Sequence, residues 1–143
     1  MELMIIAAVI SIAGTIGVSN LLDIMKRYQL KEGTLEIANQ LTLARMAAMN
    51  RNKTVTVSLA VSGGRVHLSS ADSAGLTVTP DMEAMRHVTQ VSGGPVTFNS
   101  LGMRTSGGSS TQQIAISTSS NQSYSVVIAA NGKVVPCFKL ICP

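Results

Sequence analysis

Glu2 is a lone carboxylate at the head of a run, residues 3–22, that carries no ionisable side chain. An acid driven to the middle of a membrane costs about 2.5–3.5 kcal/mol, so a helix that only anchored would have no use for one. The chemistry open to this residue is ion pairing. It wants a cation at membrane depth, and the chain supplies none nearby except its own terminal amine. The next charges, Asp23, Lys26 and Arg27, cluster where the apolar run ends.

Two cysteines, Cys137 and Cys142, enclose Phe-Lys-Leu-Ile near the end of the chain. A metal site would need two more soft ligands, and His67 and His87 stand far off with no ligand spacing. The pair is expected to close a disulfide whose short ring contributes roughly 2 kcal/mol by loop entropy. That expectation places the chain in an oxidising compartment, periplasm or cell surface. All seven acids lie at or before Glu83, so Arg86, Arg104, Lys133 and Lys139 face no acid beyond it. These four are the candidate DNA contacts, because an uncompensated basic half attracts polyanions. Their density is nevertheless low for a nucleic-acid footprint. No nucleophile elbow, phosphate loop, paired CxxC or HExxH occurs, and no Ser has a His–Asp partnership around it. Gly63-Gly64, Gly93-Gly94 and Gly107-Gly108 are expected in turns, since none precedes a helix as a phosphate cradle would. The reading is of a protein without catalytic residues, cofactor or metal.

The elements that position these residues follow from patterning. Residues 3–22, at about 1.5 Å rise each, make a helix of about 30 Å, the thickness of a bilayer's hydrocarbon core. There is no proline between Glu2 and Asn50, and past the apolar run Leu30, Thr34, Ile37, Leu41, Ala44 and Ala48 fall on one helical stripe. Lys31, Glu32, Glu36, Asn39 and Arg45 are assigned to the opposite face. The weak spot is Gly14-Thr15-Ile16-Gly17, where each glycine costs about 1 kcal/mol relative to Ala. Those glycines serve either close helix packing in lipid or a stem that stretches, and both readings stand.

The spacing therefore divides the chain into a hydrophobic helical segment 1–25, an amphipathic continuation 26–53 and a β-rich domain 54–143. Strands are expected at 54–61, 65–69, 76–79, 87–91, 96–98, 112–117, 124–129 and 133–135, with a helical turn at 81–86. Asn131-Gly132 signals a two-residue hairpin. With no Trp, two Phe and two Tyr, the packing must come from Val, Ile and Leu. The fold class is α+β: a long hydrophobic-then-amphipathic N-terminal helix packed on an antiparallel C-terminal β-domain.

The opening Met-Glu-Leu-Met-Ile-Ile-Ala-Ala-Val-Ile-Ser-Ile-Ala-Gly resembles the N-terminal segment of type IV pilins and type II secretion pseudopilins. The remainder resembles their GspH/FimT branch. Leu43-Ala44-Arg45-Met46-Ala47-Ala48-Met49-Asn50-Arg51-Asn52 is similar to that branch's Leu-Ala-Arg-x-x-Ala-x-x-Arg-Asn helix end. Val96-Thr97-Phe98-Asn99-Ser100-Leu101-Gly102 matches its Val-Thr-Phe-x-x-x-Gly, and Gly132-Lys133-Val134 follows among its closing strands. The resemblance implies a pilin-like fold and a structural filament subunit. Its stem helices bundle with copies of themselves or with other pilins, and Glu2 neutralises a neighbour's terminal amine. Gly14 and Gly17 are the implied points where the stem loosens, in place of a proline expected near Ser19. The implied partners are the inner membrane before assembly and an inner-membrane assembly platform. The implied location is a periplasmic globular domain, then a cell-surface, extracellular or periplasmic filament. Only Met1 precedes the acid where the family has about four residues, and Lys26-Arg27 beyond the span argue, alone, for the opposite membrane orientation. The alternative is a tip pilin that binds DNA. There the family's Gly-Arg-x-Arg corresponds to Gly132, Lys133, Val134 and Val135, with one base changed and the other lost.

Overall fold

One helix, α1 (Glu2–Arg51), runs through fifty residues. In the computed structural model residues 2–86, 88–106, 108, 110–118, 122–139 and 142 are described, with side chains described at all of these except 2–5, 8, 9, 12–20, 23 and 84–86. The helix ends where Asn52 turns left-handed at φ 50°. There Lys53 N–H bonds the carbonyl of Ala48 at 3.1 Å and Asn52 N–H that of Met49 at 3.3 Å. That is a Schellman stop, with asparagine in the place glycine more often takes.

The stripe expected from the spacing is the buried one: Leu30, Thr34, Ile37, Leu41, Ala44 and Ala48 are all buried. Thr34 is tolerated there because its hydroxyl donates to the Leu30 carbonyl at 2.7 Å.

Among the described residues, eight strands follow in two antiparallel four-stranded sheets: β1 (Val55–Ser62), β2 (Arg65–Asp72), β3 (Met82–Arg86), β4 (Val88–Ser92), β5 (Val96–Phe98), β6 (Gln112–Thr118), β7 (Ser123–Ile128) and β8 (Val134–Cys137). Their orders are β3-β2-β1-β5 and β4-β6-β7-β8. β3 belongs to the first sheet and β4 to the second, and His87, expected in a strand, lies outside the described residues. Period-2 alternation sends Val55, Val57, Val66, Leu68, Val96 and Phe98 from one sheet, and Ile114, Ile116, Val126 and Ile128 from the other, into one core with the helix stripe. Phe98 is the largest fully buried side chain.

Two expectations need correction. Residues 81–86 are not a helical turn: Met82–Arg86 is an edge strand, antiparallel to β2. The exposed edge of β2 supplies backbone partners, and Arg65 Nη1 holds Glu83 at 2.6 Å across the pair. Residues 76–79 do not form a strand but a single bridge, Thr77 opposite Ala71, while Ser70 and Thr79 share a side-chain hydrogen bond of 2.5 Å.

The loop after β2 is organised by one buried acid. Asp72 Oδ1 accepts from the backbone N–H of Ala74 at 2.8 Å and of Leu76 at 3.0 Å, and Lys53 Nζ lies 3.4 Å from Oδ2. The Leu76 N–H, opposed by desolvation and helped by Ala74 and Lys53, holds the carboxyl below the ordinary carboxylate range. A depressed folded-state pKa stabilises above the unfolded value and loses that stabilisation as pH falls through the folded one. Urea titrations should therefore show the wild type more stable than Asp72→Asn near neutrality. The gap should shrink as pH falls through and below the ordinary carboxylate range, about 4. A pH-independent gap would remove this role for Asp72.

Candidate functional site

Every described side chain from Ile6 to Gln29 is exposed. Ile6, Ile10, Leu21, Leu22, Ile24, Met25 and Tyr28 are among them, each near or above half exposure. An unpaired helix with apolar residues on its surface is a helix that needs a partner. Glu2, Gly14 and Gly17, the expected assembly residues, lie within the helical backbone, but the Glu2 side chain lies outside the described ones. So does most of the run 3–22. Among the described residues, no helix is long and apolar enough to cross a membrane.

The expected DNA contacts are spread over both sheets. Arg86 ends β3 opposite Arg65 in the first sheet, and its side chain lies outside the described ones. Lys133 and Lys139 are exposed near opposite ends of β8 in the second sheet. Arg104 must be corrected outright, because it is 5% exposed. Its Nη2 donates to the carbonyls of Gly108, at 3.1 Å, and Ser110, and Nη1 reaches Gln112 Oε1 at 3.5 Å. Neutral carbonyls, not acids, take this cation, so the lack of nearby carboxylates in sequence gave no warning.

Cys137 and Cys142 are joined, with Cα atoms 6.4 Å apart. The ring is pinned to β7, since Ser125 Oγ donates to the Lys139 carbonyl at 2.8 Å. It also projects Phe138 onto the helix, 5.6 Å edge-to-face from Tyr124 and beneath Lys31 Nζ at 5.1 Å.

Sequence reasoning missed the residue that ties the domain together. Arg45, assigned to the solvent face, is half-buried at the border of the stripe. Its Nε donates to the Gly102 carbonyl at 2.9 Å and its Nη2 to the Asn131 carbonyl at 3.2 Å. Those acceptors belong to two similar loops. In one, Asn99 and Met103 pair around a turn with Gly102 left-handed; in the other, Ala129 and Lys133 pair around Gly132. Arg104 N–H bonds the Ala130 carbonyl at 3.1 Å and links one loop to the other. Asn131-Gly132 thus forms a three-residue connection with a single left-handed glycine, not the two-residue turn expected. The three short motifs that carried the resemblance meet at this corner.

The family model described as Type II transport protein GspH matches residues 34–132, well over half the chain. The chain belongs to the GspH family. That match includes Arg45, Gly102 and Gly132 and stops short of the apolar stem and the disulfide ring. GspH family proteins are structural components, and this member is not an enzyme. Its fold is similar to that of the type IV minor pilin FimU of Pseudomonas aeruginosa strain PAO1. The TM-score is 0.60 at 17% identity, over 79% of this chain and 91% of that one. A second crystal form of FimU gives 0.57 at 16%, over 75% and 91%. The minor pseudopilin EpsH of the Vibrio cholerae type 2 secretion system gives 0.57 at 13%, over 77% and 97%. These likenesses establish the pilin-like α+β fold. No curated protein sequence matches the chain.

Proposed function

We propose that this GspH family member is a minor subunit of a type IV pilus-like or type II secretion filament, polymerising through α1. The observation that carries the reading is the exposed half of that helix: the described side chains from Ile6 to Gln29 are all exposed, and none belongs to the buried core. Each large apolar side chain left in water forgoes about 1.5–3 kcal/mol of burial, and neighbouring stems in a fibre recover it. Before assembly the bilayer serves as the same cover, with the globular domain in the periplasm and an inner-membrane platform as the polymerising machine. FimU and EpsH are, by their names, a minor pilin and a minor pseudopilin, which supports the reading.

Glu2 then pairs with the terminal amine of the adjacent subunit. A carboxylate buried in a helix bundle is tolerated only with its cation in place, and the pairing sets the register of one stem on the next. Subunits carrying Glu2→Ala or Glu2→Gln should be expressed and folded yet absent from sheared filaments, by immunoblot and electron microscopy. Incorporation of both at wild-type levels would overturn the pairing.

A further inference from the structure

At the foot of the globular domain, α1 carries Ile24, Arg27, Tyr28 and Lys31 on one face, spaced i, i+3, i+4 and i+7. With Tyr124 of β7 they line a groove of about 230 Å³. A second groove of the same size shares Arg27 and Tyr124 and adds Gln122 and Ser123. The wall is fixed from behind by Phe138, which meets both Tyr124 and Lys31. Arg27, Tyr28 and Lys31 are exposed, Tyr28 by 68%. Lys139 is exposed beside Phe138, and Glu32, next to Lys31 in sequence, points about 100° round the helix. Two guanidinium or ammonium groups and two phenols around one groove are a recognition set for a phosphate ester.

Position along the helix says which phosphate. Arg27 lies five residues beyond Leu22 and Lys31 nine residues beyond, about 7.5 and 13.5 Å at 1.5 Å per residue. The headgroup layer on each side of the hydrocarbon is about 5–8 Å deep. Helical side chains tilt towards the N-terminus, here towards the stem, so Arg27 leans back into that layer and Lys31 lies just beyond it. Exposed Tyr28 occupies the level at which interfacial aromatics sit.

We infer that this groove docks the headgroup phosphate of an anionic phospholipid, holding the foot of the domain on the membrane before the subunit enters a fibre. The inference rests on the proposed membrane-anchored subunit. It also gives Lys26-Arg27, on the unexpected side of the apolar run, something to bind there.

The chain has two Tyr and no Trp, and Tyr28 and Tyr124 both line the groove, so its intrinsic emission reports on this site alone. The test reconstitutes the full chain into phosphatidylcholine vesicles with and without phosphatidylglycerol, each carrying a headgroup-nitroxide lipid, and measures tyrosine quenching. Quenching should rise with phosphatidylglycerol and fall at 1 M salt, where the Debye length is about 3 Å. Each base near an anionic surface is worth about fivefold, so Arg27→Gln with Lys31→Gln should lower the docked-to-undocked ratio roughly 25-fold. Equal quenching in neutral and anionic vesicles, or none lost to salt, overturns the inference even if the double variant misfolds. Quenching that follows protein density and ignores lipid charge assigns the groove to a second copy and overturns it equally. Flotation separates the two levels. A chain that fails to float with vesicles sinks the anchored-subunit reading and this inference with it, whereas a floating chain with charge-independent quenching sinks the groove alone.

Discussion

Gly132→Ala is expected to destabilise the globular domain by about 2–5 kcal/mol, a large share of the ~5–15 kcal/mol that holds such a domain together. Two independent costs add. Gly132 has φ 78°, a left-handed conformation that costs an L-residue about 1–2 kcal/mol. A Cβ at this position would also overlap the Gly102 carbonyl oxygen and come within 2.9 Å of Arg45 Nε. Backbone cannot step aside as a flexible side chain does, so the two loops must separate, at a cost of about 1–3 kcal/mol on the scale of overpacked cores. Gly64→Ala is the control: φ is 72° and nothing lies within 4 Å of the added Cβ. It should cost only the conformational part, about 1–2 kcal/mol. Denaturant curves that place the two variants level would show that the loops do not meet as closely as described.

Much of this architecture was legible because it rests on local periodicity. The helix stripe from Leu30 to Ala48 and the alternating strands around Val57, Ile116 and Val126 repeat at spacings a short window can read, and all are buried. What failed was imposed from a distance. Residues 81–86 place Met82 and Met85 at helical spacing, but the free edge of β2 and the Arg65–Glu83 pair draw them into a strand. Arg45 finds its acceptors 57 and 86 residues away, a separation no local pattern encodes. Arg104 was misjudged for a different reason: its partners are close in sequence, but they are neutral carbonyls of the loop after it, which a search for nearby acids does not register. The Gly63-Gly64 pair was read correctly as a turn. Nothing in glycine spacing revealed that the connection at Gly132 presses on the turn at Gly102.

Arg45→Ala should cost about 2–4 kcal/mol. Hydrogen bonds to a charged group contribute about 1.5–3 kcal/mol each, and removing the donor leaves its acceptors to find others. Gly102 is buried, so its carbonyl is the harder of the two to satisfy, whereas Asn131 is exposed and water can take over there. Arg45→Lys should recover only part of the loss, because one ammonium on a flexible stem cannot reproduce the planar fork that spans two loops. The sharper measurement is the cycle with Gly132→Ala. If the guanidinium acts as a tie between the Asn99–Met103 and Ala129–Lys133 turns, splitting those turns with a methyl group already breaks what Arg45 holds. The double variant should then fall short of additivity by about 1 kcal/mol or more, as residues sharing partners do. Strict additivity would mean that Arg45 and Gly132 stabilise the domain separately. The corner where the helix end meets both sheets would then be two neighbouring contacts without a common function.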